Sequence, residues 1–361
     1  MTNATLKLHD LGQSLWVDNI TREMLANGTL KRYIDELSVT GLTSNPTIFD
    51  HAIKNSPAYD DAIRDLQKRG KSGEDLFFDL ALDDIERAAD LFRATFERTC
   101  GVDGYVSLEV SPLLVHDTKK TLAEAINLHA RAGHPNVFIK IPGTREGLPA
   151  IEEAIFAGIP INVTLLFSRE QYLAAADAYL RGIERRIAAR LTPDVASVAS
   201  LFISRWDVAV AVKVPSALVN RLGIAIGRRT YKAYCELIAS PRYLRVQNVG
   251  ARVQRLLFAS TGTKDPKASD TLYVEGLSAP YTVNKMPETT LKAFADHGDV
   301  TEPMSSDGAD CEAVLEQFAK AGIDVDVLAT TLQDEGADAF AKSWNELIDV
   351  VAAKCRVLEK V

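Results

Sequence analysis

Short apolar segments alternating with helical stretches run the length of this chain, and that alternation restricts its fold class more than any other feature. Segments of strand character lie at 14–18, 39–46, 106–110, 136–143, 161–165, 198–205, 256–260 and 282–286. Helical patterns fall between them, at 29–37, 72–98, 118–132, 148–157, from Ser168 to Ile187, at 225–238 and at 288–295. Ser72 with Asp75, and Ser168 with Gln171, have the spacing of helix-capping pairs. Roughly eight strands, each followed by a helix, predict an α/β (β/α)8 TIM barrel, which needs about 250 residues. The surplus in a chain of 361 residues is assigned to a helical insert over about 208–250 and to C-terminal helices over about 310–361. A doubly wound sheet shows the same alternation. Parity favours the barrel: several strands carry aliphatic residues on one face and polar or aromatic residues on the other. In a barrel the first set meets the outer helices and the second lines the interior and its mouth. No repeat, low-complexity run or linker divides the sequence, which reads as a single domain over 1–361.

The segment Asn136-Val137-Phe138-Ile139-Lys140-Ile141-Pro142-Gly143 sets a lysine into an otherwise apolar strand. Val137, Ile139 and Ile141 share one face, and Phe138 and Lys140 the other. A buried amine is costly unless it is partnered or partly neutral, and burial lowers a lysine pKa from about 10.4 towards roughly 7–8, where the free amine is a nucleophile. Taken alone, this strand fits an edge lysine that blocks aggregation. Its neighbours change the weighing. Asp18 closes the first strand, and Asn45 sits at the mouth of the second. Glu109 shares a face with Ser107, Asn162 with Thr164, and Ser200 with Phe202 and Ser204, with Arg205 next in sequence. A lysine gathered with carboxylates and hydroxyls can form a Schiff base with a ketone. The amine attacks the carbonyl, a carboxylate and a water move protons, and the iminium draws electrons from a breaking carbon–carbon bond.

Charge and motif content narrow the partners. The net charge of −8, from 41 Lys and Arg against 49 Asp and Glu, argues against nucleic acid or an anionic membrane as the main partner. It leaves room for a local basic pocket that takes a small phosphate. Cys100, Cys235, Cys311 and Cys355 are too scattered for a disulfide framework or a zinc cage, and no HExxH or EF-hand pattern appears. The opening MTNATLKLHD has neither a signal-peptide h-region nor the arginines of a transit peptide, and no stretch has the length and apolarity of a membrane span. A cytoplasmic location is expected.

Several motifs together resemble the transaldolase family: Gly41-Leu42-Thr43-Ser44-Asn45-Pro46, Val106-Ser107-Leu108-Glu109-Val110, Phe138-Ile139-Lys140-Ile141-Pro142, Ile161-Asn162-Val163-Thr164-Leu165-Leu166-Phe167-Ser168, and Tyr273-Val274-Glu275 with Asn284-Lys285-Met286-Pro287. They occur in order over almost the whole chain. The resemblance implies a class I aldolase-type barrel without cofactor or metal, acting on sugar phosphates in the non-oxidative pentose phosphate pathway, as a monomer or homodimer. The reaction it implies moves a dihydroxyacetone unit from sedoheptulose 7-phosphate to glyceraldehyde 3-phosphate, giving erythrose 4-phosphate and fructose 6-phosphate. By the same resemblance Lys140 is the Schiff-base lysine, and Glu109 works through a water held by Thr164. Asp18 takes the proton of the C4 hydroxyl and returns it. Asn45, Asn162 and Ser200 bond the dihydroxyacetone hydroxyls, Phe202 walls them, and Arg205 and Ser260 take the phosphate. Some family members carry an arginine shortly after that serine. Here Thr261-Gly262-Thr263 precedes Lys264, which is the corresponding candidate together with the backbone amides of the turn.

Plainer roles exist for the same residues. Asp18 and Asn45 can cap strand ends, Thr164 and Ser200 can be small layer-forming residues, and Arg205 can pair with Asp207 at the surface. Two other functions stand beside the transferase. One is an aldolase of the same superfamily that releases free dihydroxyacetone; those enzymes resemble this pattern with a glutamine at the place of Glu109. The other is a non-catalytic barrel that only binds sugar phosphates, which predicts no covalent adduct on Lys140.

Overall fold

The computed structural model describes residues 4–300 and 302–359; the first three residues of the opening segment and the last two of the predicted domain lie outside the described residues. Among them the apolar segments form eight parallel strands: β1 (Ser14–Val17), β2 (Val39–Thr43), β3 (Tyr105–Glu109), β4 (Val137–Pro142), β5 (Ile161–Leu166), β6 (Ser197–Phe202), β7 (Gln254–Ala259) and β8 (Val283–Met286). They hydrogen-bond in sequence order, and β1 also pairs with β8, so the sheet closes. The fold is the expected (β/α)8 barrel and not the doubly wound alternative, which leaves its sheet open. Every strand residue except Arg255 is buried. That is why the strands read as near-continuous apolar runs: outer helices cover one face and side chains fill the other.

The floor of the interior, at the N-terminal ends of the strands, is aromatic. Tyr105 stacks on Phe138 with centroids 4.1 Å apart, and Trp16 lies 6.1 Å from Phe138. A Cβ on Gly41 would come within 2.6 Å of the Trp16 indole, so that ring demands a glycine opposite it. Above the floor the layers turn polar, and the register sets Glu109 beside Lys140 and Lys140 beside Asn162.

Several boundaries differ from expectation. β6 ends at Phe202: the backbone turns helical at Ile203 while its amide still donates to the Ala259 carbonyl. Ser204 and Arg205 therefore open a helix, Ser204–Val210, and do not continue the strand face. Asp18 and Ser260 lie one residue beyond β1 and β7. Ser168 and Gln171 form the expected capping box, but Ser72 makes no side-chain cap bond, because Gly73 follows it at φ +54°. In the 208–250 stretch the long helix Leu222–Ile238 serves as the crossover between β6 and β7. Further helices, Pro46–Asn55 and Asp60–Lys68, lengthen the β2–β3 connection ahead of Gly73–Arg98.

The C-terminal helix Val325–Leu358 crosses the C-terminal end of the barrel and packs against Pro46–Asn55. Gln333 fastens it there, its Nε2 donating to the carbonyls of Gly143 (3.2 Å) and Leu165 (2.9 Å). No helix among the described residues is long and apolar enough to cross a membrane.

Candidate active site

Beneath that helix, where the strands end, lies a cavity of about 310 Å³. Active sites of this barrel form at the C-terminal face because the βα loops converge there. Lys140 reaches it from β4 and is buried; its Nζ donates to Glu109 Oε2 at 3.0 Å and to the Ser44 carbonyl at 3.1 Å. Glu109 lies behind the lysine, and its second oxygen, Oε1, is buried without a hydrogen-bond partner among the described residues. Burial pushes the Glu109 carboxyl above its ordinary range, against the pull of the Lys140 charge. A carboxylate so placed is a better acceptor for the ammonium proton, and that transfer would leave a free amine.

Asp18 faces the cavity from the end of β1. Thr43 Oγ1 donates to it at 2.8 Å, Asn45 Nδ2 approaches at 3.4 Å, and Lys285 Nζ on β8 donates to its other oxygen at 2.8 Å. Burial pushes the Asp18 carboxyl up, but the charge and hydrogen bond of Lys285, with smaller contributions from Lys140 and Thr43, hold it below the usual carboxylate range. Asn45 has two tasks: its Oδ1 caps the helix Pro46–Asn55 by accepting from the Ile48 amide, and its amide group lines the cavity.

A chain of hydrogen bonds fixes the polar layer between these groups. Ser200 Oγ donates to Asn162 Oδ1 at 2.7 Å, and Asn162 Nδ2 donates to Ser107 Oγ at 3.2 Å. Thr164, one turn of the pleat beyond Asn162, lines the cavity as well. Leu165 and Ser260 adopt left-handed backbone conformations, at φ 59° and 57°, where β5 and β7 meet the site. Such strain costs on the order of 1–3 kcal/mol per residue and concentrates at functional sites. At Leu165 it coincides with a register shift between β5 and β6, a bulge that re-aims the strand end.

Arg205 is half-buried, with its guanidinium 5.5 Å from the Phe202 ring centre. The surface pair with Asp207 does not form. Asp207 is buried and accepts instead from the amides of Leu222 and Gly223 and from the Tyr273 hydroxyl. That leaves Arg205 without an ion-pair partner among the described residues, beside Ser260 and Lys264 on the cavity wall. A free arginine fork is suited to a phosphate. All the residues singled out in the sequence thus converge: ten line the cavity, and Glu109 touches it through Lys140.

Nearly the whole length of the chain matches known proteins. Residues 15–351 match the family model described as Transaldolase/Fructose-6-phosphate aldolase. Proteins named transaldolase from Saccharopolyspora erythraea and Thermobifida fusca are 45% and 46% identical, covering 97% and 96% of both chains compared. One from Acidothermus cellulolyticus is 44% identical, covering all of this chain and 98% of its own. The chain belongs to the transaldolase/fructose-6-phosphate aldolase family.

Within this family member, sequence reasoning passed over Lys285, Thr43 and the side chains of the C-terminal helix. Lys285 carried the signal that exposed Lys140, an amine in a short apolar strand, but appeared only as part of a motif. Phe340 and Ser343 left no signal: they line the cavity because a helix distant in sequence lies over it, with the Phe340 ring 5.8 Å from the Lys140 amine.

Proposed function

We propose that this chain moves a dihydroxyacetone unit from sedoheptulose 7-phosphate to glyceraldehyde 3-phosphate through a Schiff base on Lys140. The family and its near full-length relatives carry transaldolase function, a transferase activity. The observation that supports the steps is a buried amine bonded to Glu109 on a cavity whose other wall holds Asp18 as a carboxylate. Lys140, relieved of a proton by Glu109, attacks the C2 carbonyl of the donor. Water leaves with help from Glu109, through a water held by Thr164, and a protonated imine remains. Asp18 takes the proton of the C4 hydroxyl, the C3–C4 bond breaks, and its electron pair passes into the imine to give an enamine. Erythrose 4-phosphate departs, and the enamine carbon attacks the aldehyde of the acceptor while Asp18 returns its proton. Hydrolysis then frees fructose 6-phosphate and the lysine. Asn45, Asn162 and Ser200 hold the dihydroxyacetone hydroxyls against Phe202, and Arg205, Ser260 and Lys264 hold the phosphate. The whole chain is taken as one cytoplasmic domain, and its net charge of −8 argues against a nucleic-acid partner.

Borohydride added with fructose 6-phosphate should give a mass increase that maps to Lys140 and is absent from Lys140→Ala. No adduct on the wild-type protein would favour a barrel that only binds its ligand. Sustained release of dihydroxyacetone from fructose 6-phosphate without an acceptor would favour the lyase.

A further inference from the structure

We propose that Lys285 is a positioning residue for Asp18: from β8 it holds the carboxylate aimed into the cavity and ready to accept a proton. Asp18 stands one residue beyond β1, its amide still donating to the Met286 carbonyl of β8 at 2.9 Å, so the backbone is anchored there and the aim of the carboxylate rests on its side-chain partners. The register sets Lys285 beside Trp16, on the inward face of the neighbouring strand, so its side chain rises along the barrel wall to the carboxylate above. Its Nζ lies 2.8 Å from Asp18 Oδ2, and both side chains are largely covered, with 11% and 20% exposure. Among the described residues Asp18 is the one carboxylate within ion-pair distance of the amine, which also lies 6.0 Å from the Phe202 ring centre. A lysine buried against one carboxylate and open to the cavity is not explained by packing, which an apolar side chain would serve without desolvating an amine.

The division of labour follows from which groups face Asp18. Thr43 and Asn45 from β2 and its turn bond Oδ1, Lys285 bonds Oδ2, and the charges of Lys140 and Glu109 act from across the cavity. Of these only Lys285 supplies a charge in direct contact. Lys140 spends its own contact on Glu109 and becomes an imine during the reaction. With Lys285 in place Asp18 stays ionised whatever state Lys140 is in, so it can take the C4 hydroxyl proton in the cleavage step. The amine gives up no proton and forms no bond to substrate.

This role rests on the aldol mechanism assigned above, and the test separates the two. The acid limb of kcat/KM would be followed in wild type, Lys285→Met and Lys285→Arg, with borohydride trapping of fructose 6-phosphate on each. Removing the contact cation lets burial raise the Asp18 carboxyl. The limb of Lys285→Met should therefore move to higher pH by about one pH unit or more, while Lys285→Arg returns most of the shift. Both variants should still trap substrate on Lys140, which shows them folded. If Lys285→Met traps substrate but its limb stays where the wild type's lies, or Lys285→Arg moves as far as Lys285→Met, the positioning role is wrong. Absence of trapping in the wild type would instead remove the mechanism beneath it.

Discussion

At the floor of the barrel Asp103 accepts from Ser14, from the Trp16 indole and from the Gly104 amide, with Arg255 3.8 Å away. Arg255 in turn donates to Ser14 and to the carbonyls of Val102 and Thr282. At the mouth, Glu109 on β3, Lys140 on β4 and Lys285 on β8 are also buried charges, yet among the described residues Glu109 Oε1 has no hydrogen-bond partner and Arg205 no ion-pair partner, and Leu165 and Ser260 hold left-handed backbones. The floor even has the larger hollow, about 590 Å³ against about 310 Å³. Volume therefore does not mark the site. What distinguishes the mouth is charged bonding capacity left over after folding: the floor's charged pair, Asp103 and Arg255, is spent on holding strand ends together, and the buried oxygens left unpaired there, Gln13 Oε1 and Gln254 Oε1, belong to neutral amides.

Substitutions at the two ends should fail in opposite ways. The largest effect on stability belongs to the floor: Asp103→Ala leaves Arg255, Ser14 and Trp16 without their shared acceptor. It should cost about 3–5 kcal/mol in denaturant unfolding while the folded fraction keeps near wild-type turnover. Lost turnover with unchanged stability would erase the distinction between the ends. Arg205→Ala at the mouth should do the reverse, raising KM for phosphorylated donors about 10–100-fold, the worth of a charge-assisted bond, with little change in melting temperature. An equal rise for an unphosphorylated ketose would show that the guanidinium does not read the phosphate. The smallest effect is expected at the edge of the mouth, where Gln333→Ala removes the two bonds that fasten the C-terminal helix to Gly143 and Leu165. About 1 kcal/mol of stability should be lost, together with hydrogen-exchange protection confined to Val325–Leu358. Loss of protection spread evenly over the barrel would show that the helix is not separately held.

Much of the mouth was legible because a strand encodes direction. With a side-chain period of two, Glu109, Lys140, Asn162 and Thr164 had to share the inward face once their strands were placed, and the register then set them side by side. Legibility stopped where a strand stops. Arg205 leaves β6 on a helix, so parity says nothing of its direction, and the pairing with Asp207 that sequence proximity suggested gives way to a bond network with Leu222, Gly223 and Tyr273. Ser72 shows the same limit on a smaller scale: its spacing suits a cap, but the backbone at Gly73 does not.

The sequence by itself determined that strands would alternate with helices and which side chains would share a face, because periodicity and apolar runs are local properties; strand parity favoured a barrel, and the β1–β8 pairing closed it. Only the tertiary structure decided that Lys285 grips Asp18, that Ser107, Asn162 and Ser200 join across strands, and that the C-terminal helix lays Phe340 over the Lys140 amine. Those pairings depend on barrel closure and on chain segments up to hundreds of positions apart meeting in space, which no local pattern encodes.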